Sequence, residues 1–108
     1  MAVTQSQSIQ PANTNVAVGS YITTGTAAAI AITVGFQPRY VRVVNETSGD
    51  QEEWFEGMAD AEAFKRVAAG TGTMITSLGI TPSARGFTIG LDTDINVTSE
   101  QLSWMAIG

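Results

Sequence analysis

The sequence of 108 residues contains no cysteine and no histidine. Disulfides, thiol nucleophiles, Cys/His zinc sites and imidazole acid–base chemistry are excluded at once. Charge is scarce: Asp, Glu, Lys and Arg make up 14% of residues, against about 25% in average soluble proteins. Basic residues are scarcest, five against ten acidic ones, for a net charge of −5. No basic nucleic-acid footprint is present, and no nucleic-acid partner is expected. No apolar run approaches the ~20 residues that a membrane helix needs. The longest, residues 27–34, is interrupted by Thr33. No membrane partner is expected, and the N-terminus carries neither the basic region nor the apolar stretch of a secretory signal.

What is present is a β-protein composition. Hydrophobic residues reach 44%, with 14 Thr, 8 Ser and 11 Gly. Thr and Val suit pleated strands, and Gly suits tight turns. The length fits one domain. Residues 1–15 are uncharged, polar and almost free of large apolar groups, so they cannot offset the entropy of ordering themselves. They are expected to form a flexible, extended N-terminal arm ahead of a single domain over residues 16–108.

From Val16 a period of two appears, the signature of strands with two unlike faces. Val16, Val18, Ser20 and Ile22 share one phase. Ala28, Ile30, Ile32 and Val34 alternate with Ala27, Ala29, Ala31 and Thr33. Residues 39–45 form the clearest strand, with Val41 and Val43 on one side and Tyr40, Arg42 and Val44 on the other. Residues 46–51 read as a hairpin loop and 52–56 as the return strand. Residues 58–69 admit two readings. Asp60 caps a helical turn with Ala61, Phe64, Val67 and Ala68 on one face, or a loop leads into a short strand over residues 64–68. Residues 73–78 and 86–91 are strands flanking a turn at 79–85. Asp92-Thr93-Asp94 turns into residues 95–97, and residues 101–107 close the chain. About eight short strands with turns between them predict an all-β fold, an antiparallel β-sandwich with jelly-roll-like connections. Its core is expected to take Ile30, Ile32, Val41, Val43, Phe87, Ile89, Leu102 and Trp104.

Few groups carry chemistry. Glu46, Asp50, Glu52, Glu53 and Glu56 cluster around one hairpin. Glu53 and Phe55 share one strand face; Glu52, Trp54 and Glu56 share the other. A Trp between two carboxylates resembles a sugar platform with a paired acid and base. The plainer reading is a solvated hairpin whose acids keep an edge charged. Asp92 and Asp94 offer two carboxylates to a hard cation, without the Gly and Glu of an EF-hand loop. Gly70-Thr71-Gly72 lacks the Lys of a phosphate-binding loop. Asn45-Glu46-Thr47 and Asn96-Val97-Thr98 match the glycosylation triplet. The expectation is no catalytic residue, no cofactor and no metal site. Interfaces favour aromatics, Met and Arg. Tyr40, Arg42, Trp54 and Met58, on or beside the hairpin of residues 39–57, are therefore the candidate contact residues for another subunit or for a larger assembly that the protein binds.

One succession of strands and turns is familiar. It begins with Gly35-Phe36-Gln37-Pro38-Arg39-Tyr40-Val41-Arg42-Val43-Val44-Asn45 and Glu53-Trp54-Phe55-Glu56-Gly57-Met58. Thr76-Ser77-Leu78-Gly79-Ile80-Thr81, Gly86-Phe87-Thr88-Ile89-Gly90 and Asp94-Ile95-Asn96-Val97 follow, leading to Leu102-Ser103-Trp104-Met105-Ala106. Over about residues 30–108 this resembles small virion proteins of tailed bacteriophages, most of all capsid decoration, or cement, proteins. The resemblance implies a non-enzymatic β-sandwich, bound as a homotrimer to the major capsid protein on the outer surface of the icosahedral head. The alternative it implies is a phage tail or fibre β-module that binds a cell-surface glycan. The aromatics discriminate, because a glycan reader exposes Trp or Tyr whereas a cement protein buries them.

Overall fold

The computed structural model describes residues 15–108. The arm assigned to residues 1–15 lies outside the described residues, apart from Asn15. Every regular element among the described residues is a β-strand. They are β1 (Val16–Ile22), β2 (Ile30–Thr33), β3 (Tyr40–Asn45), β4 (Gln51–Phe55), β5 (Glu62–Arg66), β6 (Gly72–Ser83), β7 (Gly86–Ile89) and β8 (Gln101–Ile107).

The eight strands make one antiparallel sheet in the order β1-β8-β3-β4-β5-β6-β7-β2. The middle of the sheet, β3 to β7, is a meander of hairpins. β8 returns beside β3, and β1 and β2 take the two edges. The sheet curls at β6, the longest strand, with 12 residues. Its first part pairs β5 and its last part pairs β7, with a register jump between Glu62↔Ile80 and Ala63↔Ile75. The residues in that jump turn a corner. Leu78 has φ 62°, a conformation uncommon outside glycine. The next residue must be small, because a Cβ on Gly79 would sit 2.6 Å from the Glu62 carbonyl oxygen. Extra residues in one strand bend a sheet in this way.

The curl brings β7 over β8, where the Phe87 and Trp104 rings meet edge-on with centroids 5.4 Å apart. The core lies between the two halves of the sheet. Val41, Val43, Trp54, Leu102 and Ala106 come from one half, and Ile30, Ile80, Phe87 and Ile89 from the other, with Ile95 from the β7–β8 connection. Ile32 and Trp104 pack against this core while half-buried. Each fully buried aliphatic side chain stabilises the fold by about 1.5–3 kcal/mol relative to exposure.

Within residues 58–69 the structure has no helical turn but a loop leading into a strand at Glu62–Arg66, two residues ahead of the expected 64–68. Ala61 has φ 66°, which no helix continues, and β4 and β6 capture residues 62–66 on either side. The expected turn at 79–85 shrinks to Ala84 and Arg85, because β6 runs on to Ser83. Residues 95–97 form no strand. The Asp94 N–H donates to Asp92 Oδ1 and the Asn96 N–H to the Asp92 carbonyl, so the segment folds as a turn.

Candidate functional site

Alternation sorts β3 and β4 into an inner and an outer face. Val41, Val43, Asn45, Glu52 and Trp54 are buried. Tyr40, Arg42 and Val44 point outward beside Gln51, Glu53 and Phe55. The register sets Tyr40 between Phe55 and Ile107, Arg42 between Glu53 and Met105, and Val44 between Gln51 and Ser103. β1 extends this outer face with Val16, Val18 and Ile22, which are 55%, 71% and 52% exposed. A shallow hollow of about 310 Å³ on the sheet is lined by Arg42, Val44, Ser103, Trp104 and Met105.

Two hydrogen-bonded clips fix the polar groups here. The Tyr40 hydroxyl donates to Glu53 Oε2 at 2.5 Å, and its ring lies edge-on to Phe55 at 5.1 Å. Burial, then the bond to Glu53 and its negative charge, push the phenol up to about 12, with the Arg42 charge opposing. The Arg42 guanidinium donates to Gln51 Oε1 at 2.7 and 3.2 Å. Arg42 is thus held flat along the sheet, with donors left over for a partner.

Of the four candidate contact residues, Tyr40 and Arg42 come together on this face. Met58 lies past β4, half-buried against the core. Trp54 points to the opposite face and is 5% exposed, and its Nε1–H donates to the Ala59 carbonyl at 3.2 Å. Its position supports β4 from within and offers no surface to a partner. Val16, Val18, Val44 and Phe55 lie on the same face. Their shared phase with Tyr40 and Arg42 becomes visible once strand order is known.

The acidic residues disperse. Glu53 serves Tyr40, Glu56 lies 3.5 Å from Arg39, and Asp50 Oδ1 accepts the Ala68 N–H at 2.8 Å. Glu52 turns inward and is fully buried. Neither of its oxygens has a hydrogen-bond partner among the described residues. Burial first, then the charge of Asp92, push its carboxyl up to about 8, against the pull of Lys65. Lys65 stands opposite Glu52 on β5 and is engaged elsewhere. Its Nζ lies 2.9 Å from Asp92 Oδ1 and 2.5 Å from Asp94 Oδ2. Burial disfavours its charge, but these two carboxylates outweigh that effect and its pKa rises. Asp92 and Asp94 therefore hold an ammonium. Among the described residues no three His, Cys, Asp or Glu side chains converge on a point that would hold a metal ion. The two carboxylates that flank Trp54 part company: Glu52 is buried with the Trp54 ring, whereas Glu56 is exposed beside Arg39.

The asparagines of both glycosylation triplets face inward. Asn45 donates to the Ile95 carbonyl and Glu100 Oε1, and accepts from the Thr47 and Ser48 N–H groups. Asn96 accepts from the Thr23 hydroxyl and donates to the Ala28 and Gly90 carbonyls. Asn96 thus ties the β7–β8 connection to the β1–β2 connection, and Asn45 ties it to the β3–β4 loop. Among the described residues no helix is long and apolar enough to cross a membrane. Set against known proteins, no family model matches the chain, and neither a curated protein nor a solved structure matches it.

Proposed function

We propose that this protein is a non-enzymatic decoration protein of a phage head, binding the major capsid protein on the outer surface of the shell. The observation that carries the proposal is the outer face of β1, β8, β3 and β4. It is broad and mostly uncharged, with Arg42 and a shallow hollow at its centre. A cement protein needs such a surface and no reaction chemistry. Many weak contacts on one shell sum to strong attachment.

The inward Trp54 and the Trp104 packed on Phe87 favour this role over a glycan-binding tail or fibre module. In this reading the curled sheet serves as a sandwich, its β7 half closing on its β8 half. The long β1–β2 and β7–β8 connections take the place of jelly-roll crossovers. The copies form a homotrimer through the hairpin of residues 39–57, with neither cofactor nor metal.

Co-sedimentation with emptied phage heads tests the proposal. The wild type pellets with the shells. Arg42→Glu and Val44→Glu, both on the outer face, keep the wild-type circular dichroism and weaken pelleting by at least tenfold. Pelleting that is unchanged in both variants, or binding to host-surface glycans in place of shells, overturns it.

A further inference from the structure

Hydrogen bonding alternates along an antiparallel ladder, so every second residue turns its N–H and C=O away from the neighbouring strand. The Gly108 N–H donates to the Asn15 carbonyl at 2.9 Å, one step beyond the Val16↔Ile107 pair of β1 and β8. Asn15 and Gly108 are thus a bonded pair. Ala17, Gly19 and Tyr21 also bond β8. Val16, Val18, Ser20 and Ile22 therefore present both backbone groups at the open edge of the sheet. Among the described residues no strand pairs with that edge.

Exposed edges are normally blunted by charge, proline, a bulge or short length. β1 has none of these. It runs seven residues in unbroken register and contains neither charge nor proline. The first charged residue in the chain is Arg39, and β8, the next strand inward, is uncharged as well. The other edge, β2, offers only four residues.

We propose that β1 is a strand-addition edge for a second copy of this chain, the two β1 strands pairing antiparallel about a two-fold axis. Two copies of net charge −5 repel one another over most of their surfaces, and the β1–β8 side is where each carries no charge. Full overlap sets Val16 opposite Ile22 and Val18 opposite Ser20 as bonded pairs, with Ala17 opposite Tyr21 and Gly19 opposite itself. Small residues then meet large ones along most of the ladder. Directly opposite residues share a face, so the exposed Val16, Val18 and Ile22 join the outer faces of both copies into one apolar strip. Such edge-to-edge pairing is a closed, self-complementary contact. It uses a surface different from the hairpin of residues 39–57, and it holds whether or not the larger partner is a capsid.

The chain has no cysteine of its own, so the register can be trapped covalently. In the double variant Val18→Cys/Ser20→Cys, cysteines of the two copies stand opposite each other at about 5.5 Å between Cα atoms, within disulfide range. Each single variant places its cysteines on a diagonal of about 7–8 Å, beyond that range. Mild oxidation is expected to give a covalent dimer with the double variant and several-fold less with either single one. Independently, Val18→Pro removes an outward N–H and no bond to β8. It is expected to halve the wild-type mass in sedimentation while the circular dichroism stays that of the fold. Equal cross-linking in all three variants, no cross-linked dimer, or an unchanged mass in Val18→Pro overturns the pairing. Shell binding is scored separately on the wild type: pelleting with no self-pairing refutes only the edge, and self-pairing without pelleting refutes only the capsid role.

Discussion

Glu52→Gln isolates the one buried carboxyl without a hydrogen-bond partner among the described residues. Wild-type Glu52 is raised from about 4.5 to about 8 by burial and by the charge of Asp92, with Lys65 opposing. Between those two pH values the folded chain keeps a proton that the unfolded chain releases. The associated stability is complete below about pH 4.5, falls as pH rises toward 8, and is lost above it. At about 1.36 kcal/mol per pH unit, the whole interval corresponds to at most about 5 kcal/mol. Relaxation around a buried ion lowers such costs, so about 2–3 kcal/mol is expected at pH 9. Gln has the same shape and cannot ionise. The variant should therefore match the wild type within about 1 kcal/mol at pH 4.5 and exceed it by pH 9. For a domain of this size that gain corresponds to a melting temperature higher by about 8 °C or more. Thermal unfolding followed by circular dichroism at pH 4.5, 7 and 9 reads the difference. A wild-type-minus-variant difference that is flat across this range refutes the reasoning, as does a variant less stable than wild type at pH 9.

Lys65→Met leaves Asp92 buried without its cation and is expected to destabilise the fold by about 3 kcal/mol at neutral pH, measured by urea unfolding; a loss below about 1 kcal/mol would mean that water replaces the ammonium. Asn45→Ala strips the donors and acceptors that hold Ile95, Glu100, Thr47 and Ser48, and is expected to cost about 2–4 kcal/mol. Its unfolding midpoint should shift while the slope with denaturant stays constant.

Alternation alone located most of the strands, because a half-buried sheet imposes a period of two on every segment it recruits. Where pattern failed, a tertiary partner made the decision. Ala61, Phe64, Val67 and Ala68 have helical spacing, yet a segment this short has little helical stability of its own, and β4 and β6 pull it into a ladder. Ile80 falls in the expected turn at 79–85 and Ile95 in the short strand expected at 95–97, which folds as a turn; both side chains are buried. Ile80 lies past the corner at Leu78 and Gly79, which only the register jump reveals. Ile95 is drawn in by the Asn45 amide holding its carbonyl. Glu52 had a usable signal in its shared phase with Trp54, a residue that packs inward. Its charge argued for solvent and lost to the pleat, since a strand that buries Trp54 and pairs with β3 has no second way to turn its neighbour-but-one. The contact face was legible for Tyr40 and Arg42. The rest of it depends on β1 and β8 lying beside β3, a long-range pairing that no local pattern encodes.

The polar interior and the apolar exterior have separate duties. Asn45, Asn96 and Asp92 sit where irregular connections cross the ends of the sheet, and their bonds satisfy backbone groups that no ladder reaches, while Lys65 neutralises Asp92. Hydrophobic contact tolerates many arrangements of similar energy, whereas a buried amide with several partners accepts few. The bend itself lies at Leu78 and Gly79 in β6, and the buried polar side chains hold the connections in one arrangement around it. The rim of the outer face carries little of the fold's stability, because Val16, Val18, Ile22 and Phe55 remain about half or more exposed. Substitutions there can change binding without changing folding, and substitutions in the inner polar set should do the reverse. That separation lets Arg42→Glu and Glu52→Gln test shell binding and stability independently, while Val18→Pro, on the same outer face as Arg42, reads self-pairing through the mass alone.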